Sequence, residues 1–177
     1  MVENILIEVT IQLLSTLVGV LVGFVVAMTW DRKKKHEEIQ ETKNHIIDAL
    51  IEELKTIQNG FSDKEKIGNM RWNGTKHEFQ GSFPIMSTPA YESAINSGNF
   101  SLLSTPLQTE VGTLYLAIHC CNSLVEQILK FYTTSIFPTN YGSIEANRLC
   151  DDGNPRMFKI LDGIKELLPK LESAKES

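Results

Sequence analysis

The chain has 177 residues, 42% of them hydrophobic and 22% charged, with a formal net charge of −5 at pH 7. A sequence pI near 5.4 argues against general nucleic-acid binding, which needs a basic face. Three cysteines are too few, and odd in number, for a disulfide framework.

Residues 1–8 form a short leading segment, and from Val9 to Trp30 no side chain carries a charge. As an α-helix that run covers about 33 Å, enough for a hydrocarbon core of about 30 Å. A cleaved signal peptide would start with basic residues and have a shorter apolar centre. This chain instead carries Glu3 and Glu8 at its start. The run is therefore predicted to be a single transmembrane helix over 9–30. Trp30, Arg32, Lys33, Lys34 and Lys35 follow as a membrane interface. The positive-inside rule then puts the N-terminus outside a cell (inner or plasma) membrane and everything after Trp30 in the cytoplasm. The same cluster suits anionic head groups.

Inside the run, Ser15, Gly19, Gly23 and Ala27 are spaced by fours and form one strip along a helix. Small residues in such a strip let two membrane helices approach closely, so a homo-oligomer is expected. The polar residues Thr10, Gln12, Ser15 and Thr16 lie in the N-terminal half, and hydroxyls of this kind can return to the helix backbone.

Residues 31–60 read as a juxtamembrane helix, basic at its start and amphipathic after it. Ile39, Ile46, Leu50, Leu54 and Ile57 recur on one face, and Gly60 is the expected stop. A cytosolic helical domain follows over 61–172. Ser62 and Glu65 have capping-box spacing, and Asn73-Gly74 suits a hairpin turn. Thr88 should cap a short helix from Pro89 to Asn96, with Gly98 at its exit. The same grammar repeats at Thr105, Pro106 and Gln108, opening a helix to about Thr134. On that helix Leu107, Val111, Leu114, Ile118, Cys121, Val125, Ile128 and Tyr132 alternate by four and three, the spacing of a coiled-coil-like bundle seam. After the stretch "IFPTNYGS" and a short turn at Ile144–Cys150, Asn154-Pro155 should start the last helix. Its inward positions are Met157, Leu161, Ile164 and Leu168. Pro169 should end or kink it, leaving 173–177 as a frayed tail. The expected fold class is all-α: one N-terminal transmembrane helix, then a cytosolic antiparallel helical bundle.

The polar residues suggest no reaction. In "HCCN", His119 and Cys120 are neighbours on a helix and point about 100° apart, a poor arrangement for a thiolate and its base. Cys121 falls on the seam, where a small hydrophobe is expected. His45, Asp48 and Glu52 share one face but read as a solvated charged surface. Asp151 and Asp152 suit a turn or a helix start, and a calcium loop would need more oxygen ligands. No paired-histidine or paired-cysteine metal motif and no phosphate-binding loop occurs. Neither catalysis nor any cofactor or metal is expected.

The layout of the whole chain, a single N-terminal membrane helix followed by a compact helical domain, resembles the small accessory membrane proteins of prokaryotic antiviral systems. These include proteins that accompany RNA-targeting CRISPR nucleases, and some of the class assemble into membrane pores. Certain members carry HEPN helical domains, whose ribonuclease signature is Arg, four to six residues, then His. Here Arg148 and Arg156 have no histidine after them, and Arg71 with His77 lies in the irregular segment. The reading from sequence is a membrane-anchored scaffold or sensor that self-associates and binds a protein partner. The alternative is a membrane-perturbing oligomeric effector.

Overall fold

The computed structural model describes residues 2–60, 69–72, 77–80, 85–134 and 140–175. The fold is helical: α1 (Val2–Gly60), α2 (Pro89–Asn96), α3 (Thr105–Thr134) and α4 (Asn140–Lys175), with a 3-10 turn at Asn99–Leu102. Two short strands, β1 (Asn69–Trp72) and β2 (His77–Gln80), pair antiparallel with Asn69 opposite Gln80 and Trp72 opposite His77. This ladder flanks Asn73-Gly74. The turn itself, like the expected Ser62–Glu65 cap, lies outside the described residues.

The chain divides into two compact units, Met1–Thr42 and Lys43–Ser177. The division falls within α1, for a packing reason. Ile46, Ile47, Leu50, Ile51, Leu54 and Ile57 form a continuous helical stripe buried with the rest of the core. Ile39, expected on the same face, is 43% exposed and belongs to the first unit.

Within the second unit the α1 stripe packs with Met86, Ala94, Leu103 and the inner faces of α3 and α4. Successive contacts between α3 and α4 run in opposite numerical order. Glu110 meets Lys170 at 2.6 Å, Leu114 lies against Gly163, and Leu124 lies against Gly153. At both glycines a leucine of α3 fills the place a side chain would take. A Cβ at Gly163 would stand 3.1 Å from Leu114 Cδ1, and one at Gly153 would stand 3.0 Å from Leu124 Cδ2. At the far end of α4, Lys175 bonds Asp48 at 2.6 Å and Glu172 approaches Lys55 at 3.8 Å.

The last helix differs from expectation. It begins at Asn140, not Asn154, and contains both Pro155 and Pro169. The Ile144–Cys150 turn is thus part of α4, and so are Asp151 and Asp152. A proline inside a helix removes one N–H and frees the carbonyl four residues earlier. Here both prolines are exposed, and so are Asp151 and Lys165, whose carbonyls are freed. Water can satisfy them, while Met157, Ile160, Leu161, Ile164, Leu167 and Leu171 hold the opposite face in the core. Residues 173–175 remain helical, anchored by the Lys175–Asp48 pair and by Ala174 against the core.

The start of α2 also departs from local grammar. Thr88 makes no side-chain cap, and its hydroxyl donates instead to Glu92 at 2.9 Å. The helix N-terminus is met from α1: Glu53 accepts from the Ala90 N–H at 2.6 Å and the Tyr91 N–H at 3.3 Å. A carboxylate there satisfies orphan donors and opposes the positive end of the helix dipole. Similarly, α3 opens at Thr105 itself, and Gln108 Nε2 reaches back to the Leu103 carbonyl at 2.6 Å instead of to a backbone N–H.

Candidate functional site

The first unit is an exposed apolar helix with a basic flank. From Leu14 to Trp30 its large apolar side chains stand between 41% exposed (Met28) and 73% exposed (Trp30). Soluble proteins do not leave a continuous apolar surface of this size in water without a partner for it. Among the described residues this is the one helix long and apolar enough to cross a membrane, with a window of mean hydropathy 1.8. Its polar members are quiet. Thr16 Oγ1 bonds the Gln12 carbonyl at 2.8 Å, and Thr29 Oγ1 bonds the Val25 and Val26 carbonyls at 3.0 and 2.9 Å. Thr10's side chain lies outside the described part.

Ser15, Gly19, Gly23 and Ala27 are all exposed on this helix. A Cβ added to Gly19 or Gly23 would meet nothing within 4 Å. Trp30, Arg32, Lys33, Lys34 and Lys35 follow, exposed. Lys33 and Lys34 lean towards Glu37 and Glu38 at 3.8 and 3.9 Å, exposed pairs one helical turn apart that are worth little in water.

In the second unit the predicted seam positions Leu107, Val111, Leu114, Ile118, Cys121, Val125 and Ile128 are buried, each at 8% exposure or less. Tyr132's side chain lies outside the described part. The seam faces the chain's own α1 and α4 stripes within one core.

Two polar anchors shape the surface around that core, and sequence reasoning missed both. Glu53 gathers α1, α2 and α3, because besides the two α2 amides it accepts the Tyr115 hydroxyl at 2.6 Å. Tyr115 is fully buried, and its ring stacks on Tyr91 with centroids 4.1 Å apart. Burial first, and then the bond to the Glu53 carboxylate, hold this phenol far above its ordinary pKa, so it stays a neutral donor. The second anchor is Asn122. Its Oδ1 accepts the Met86 N–H at 2.9 Å and its Nδ2 donates to the Met86 carbonyl at 2.7 Å, fixing the segment 85–88 beside α3. Neither tie follows a local spacing rule, since each joins residues 36 or more apart in sequence.

The residues that suggested chemistry are dispersed. His119 and Cys120 are exposed while Cys121 points into the core. Burial pushes the Cys121 thiol up to about 11, and nearby Arg156 only partly opposes this, so it is a protonated thiol at neutral pH. His45, Asp48 and Glu52 are exposed, and Asp48 is taken by Lys175. Among the described residues no three His, Cys, Asp or Glu side chains gather to hold a metal ion. Arg71 and His77 fall on β1 and β2, opposite Glu78 and Trp72. No family model, curated relative or solved structure matches the chain.

Proposed function

We propose that the chain is a single-pass membrane protein. It acts as a scaffold or sensor that self-associates through its membrane helix and binds a protein partner through a cytosolic antiparallel helical bundle. The observation that carries this reading is the unbroken exposed apolar surface from Leu14 to Trp30, ending at Arg32–Lys35. The basic cluster favours an N-terminus outside and Lys43–Lys175 on the cytoplasmic side, next to anionic head groups. The opposed numbering of the α3–α4 contacts supports antiparallel packing of those helices. The open space beside Gly19 and Gly23 supports self-association, because among the described residues nothing lies within 4 Å of a Cβ at either position.

The test has two arms. In intact cells a membrane-impermeant maleimide should leave exposed Cys120 unlabelled until the membrane is permeabilised. Labelling before permeabilisation would reverse the orientation. In the second arm, light scattering on the purified protein should show an assembly that Gly19→Ile/Gly23→Ile breaks. A Cβ at either position meets nothing within 4 Å among the described residues. A monomer in both samples would remove self-association and leave an anchor. A large wild-type ring that makes liposomes leak would replace the scaffold with the membrane-perturbing effector.

A further inference from the structure

A groove of about 690 Å³ runs between α3 and α4 in the second unit. Leu114, Ala117, Ile160, Gly163 and Leu167 line its middle. Ala117 and Gly163 are the smallest of these, and at Gly163 the Leu114 side chain lies directly against the backbone. The contact order of the two helices sets its ends: Cys120 and Arg156 at one, Glu110 and Lys170 at the other. At the helical rise the α3 wall between Cys120 and Glu110 is about 15 Å long. The volume suits a small-molecule ligand, and the length suits a narrow one.

The two ends differ in charge. At one, Lys170 is neutralised by Glu110 at 2.6 Å, and Glu166 adds a further carboxylate. At the other, Arg156 and Lys159 stand together, exposed, with no carboxylate in ion-pair range among the described residues. Lys43 is likewise without one, but it stands alone on α1. Lys55, Lys165, Lys170 and Lys175 each reach a carboxylate at 2.6 to 3.8 Å. Two adjacent cations with no ion-pair partner among the described residues, at the end of an apolar trough, suit an anionic head on an apolar tail.

We propose that the α3–α4 groove binds a single-chain anionic amphiphile, its carboxylate or phosphate head on Arg156 and Lys159 and its tail along Leu114, Ile160 and Leu167. The site lies wholly within Lys43–Ser177, so it stands independently of the membrane anchor. A ligand of this kind would give the proposed sensor something to sense.

Cys120 offers a local readout, because it is exposed and lines the cationic end. Full-length protein in lipid nanodiscs is treated with N-ethylmaleimide, and alkylation of Cys120 is timed by mass spectrometry. The additives are dodecanoate, dodecyl phosphate, dodecanol or an acidic amphipathic peptide. The two anions should slow the reaction saturably, whereas neutral dodecanol should not. The stronger of the two identifies the head group as carboxylate or phosphate. In Arg156→Gln/Lys159→Gln the half-protecting concentration should rise about tenfold or more, the loss expected for charge-assisted contacts. Both positions are exposed, and unchanged helix content will show that this variant is folded. Three results overturn the proposal: no protection by either anion, equal protection by dodecanol, or protection that survives the double substitution. Protection by an acidic amphipathic peptide alone would also overturn it, by assigning the groove to a protein.

Discussion

Replacing Glu53 by alanine should be among the most damaging single changes in the Lys43–Ser177 unit. The carboxylate accepts three donors: the Ala90 and Tyr91 amides at 2.6 and 3.3 Å and the Tyr115 hydroxyl at 2.6 Å. Removing it strands the Tyr115 hydroxyl inside a core where that residue has 0% exposure. A stranded buried donor costs about 1–3 kcal/mol. The α2 amides lose their cap, at about 0.5–2 kcal/mol. The sum is about 3 kcal/mol for Glu53→Ala, or a fall of about 10 °C in Tm for a chain of this size. Tyr115→Phe should cost about 1.5 kcal/mol, because Glu53 then keeps its two backbone donors and nothing buried is left unpaired. Since Phe in place of Tyr115 removes the stranded group, the double variant should be milder than the sum of the singles by about 1 kcal/mol or more. Thermal melts of the four proteins, followed by circular dichroism in one mild detergent, measure this. A Glu53→Ala melt within about 2 °C of wild type, or strict additivity, would refute the account of Glu53 as the shared acceptor.

Two further outcomes are expected. The Cys121 thiol is raised in the folded state to about 11 from 9.0, so over that window the unfolded chain loses a proton that the folded chain retains. Stability present below pH 9.0 should therefore fall by about 1.4 kcal/mol per pH unit on this account, levelling off above the folded value. Denaturation against pH should show a shallower alkaline slope for Cys121→Ala, and an unchanged slope would dismiss the effect. Gly98 holds φ +75 with open space around it. Gly98→Ala should thus cost about 1 kcal/mol through backbone strain alone, and Gly98→Asn less. Equal melts for the alanine and glycine forms would contradict that.

Much of the helix layout could be read locally. Pro89 and Gly98 bracket α2, and the alternating apolar positions from Leu107 mark the buried face of α3. The signal fails where tertiary contacts override it. Asn154-Pro155 has the look of a helix start. Its proline is nevertheless tolerated mid-helix because it sits on the solvent face, opposite a stripe that the core secures. Thr88 has the look of a cap, but the Glu53 carboxylate in α1, 37 residues from Ala90, takes the helix's first amides instead. The apolar run and its basic flank were plain from composition. The α3–α4 groove was not, because it depends on how residues about 40 to 60 apart in sequence pack against one another, which no local spacing encodes.

Glu53 and Asn122 both grip their targets by the main chain. Every residue type except proline offers the same amide, so positions 90 and 91 are open to replacement as far as Glu53 is concerned. Position 53 itself has almost no latitude, since only a long carboxylate spans that distance and takes three donors. The burden is one-sided in the same way at the Asn122–Met86 peptide. Among diverging copies of this domain, the exposed positions of α2 and of the segment before it should therefore change quickly, while Met86, Tyr91 and Ala94 stay tied to the core. The two side chains that hold them should be among the last to go.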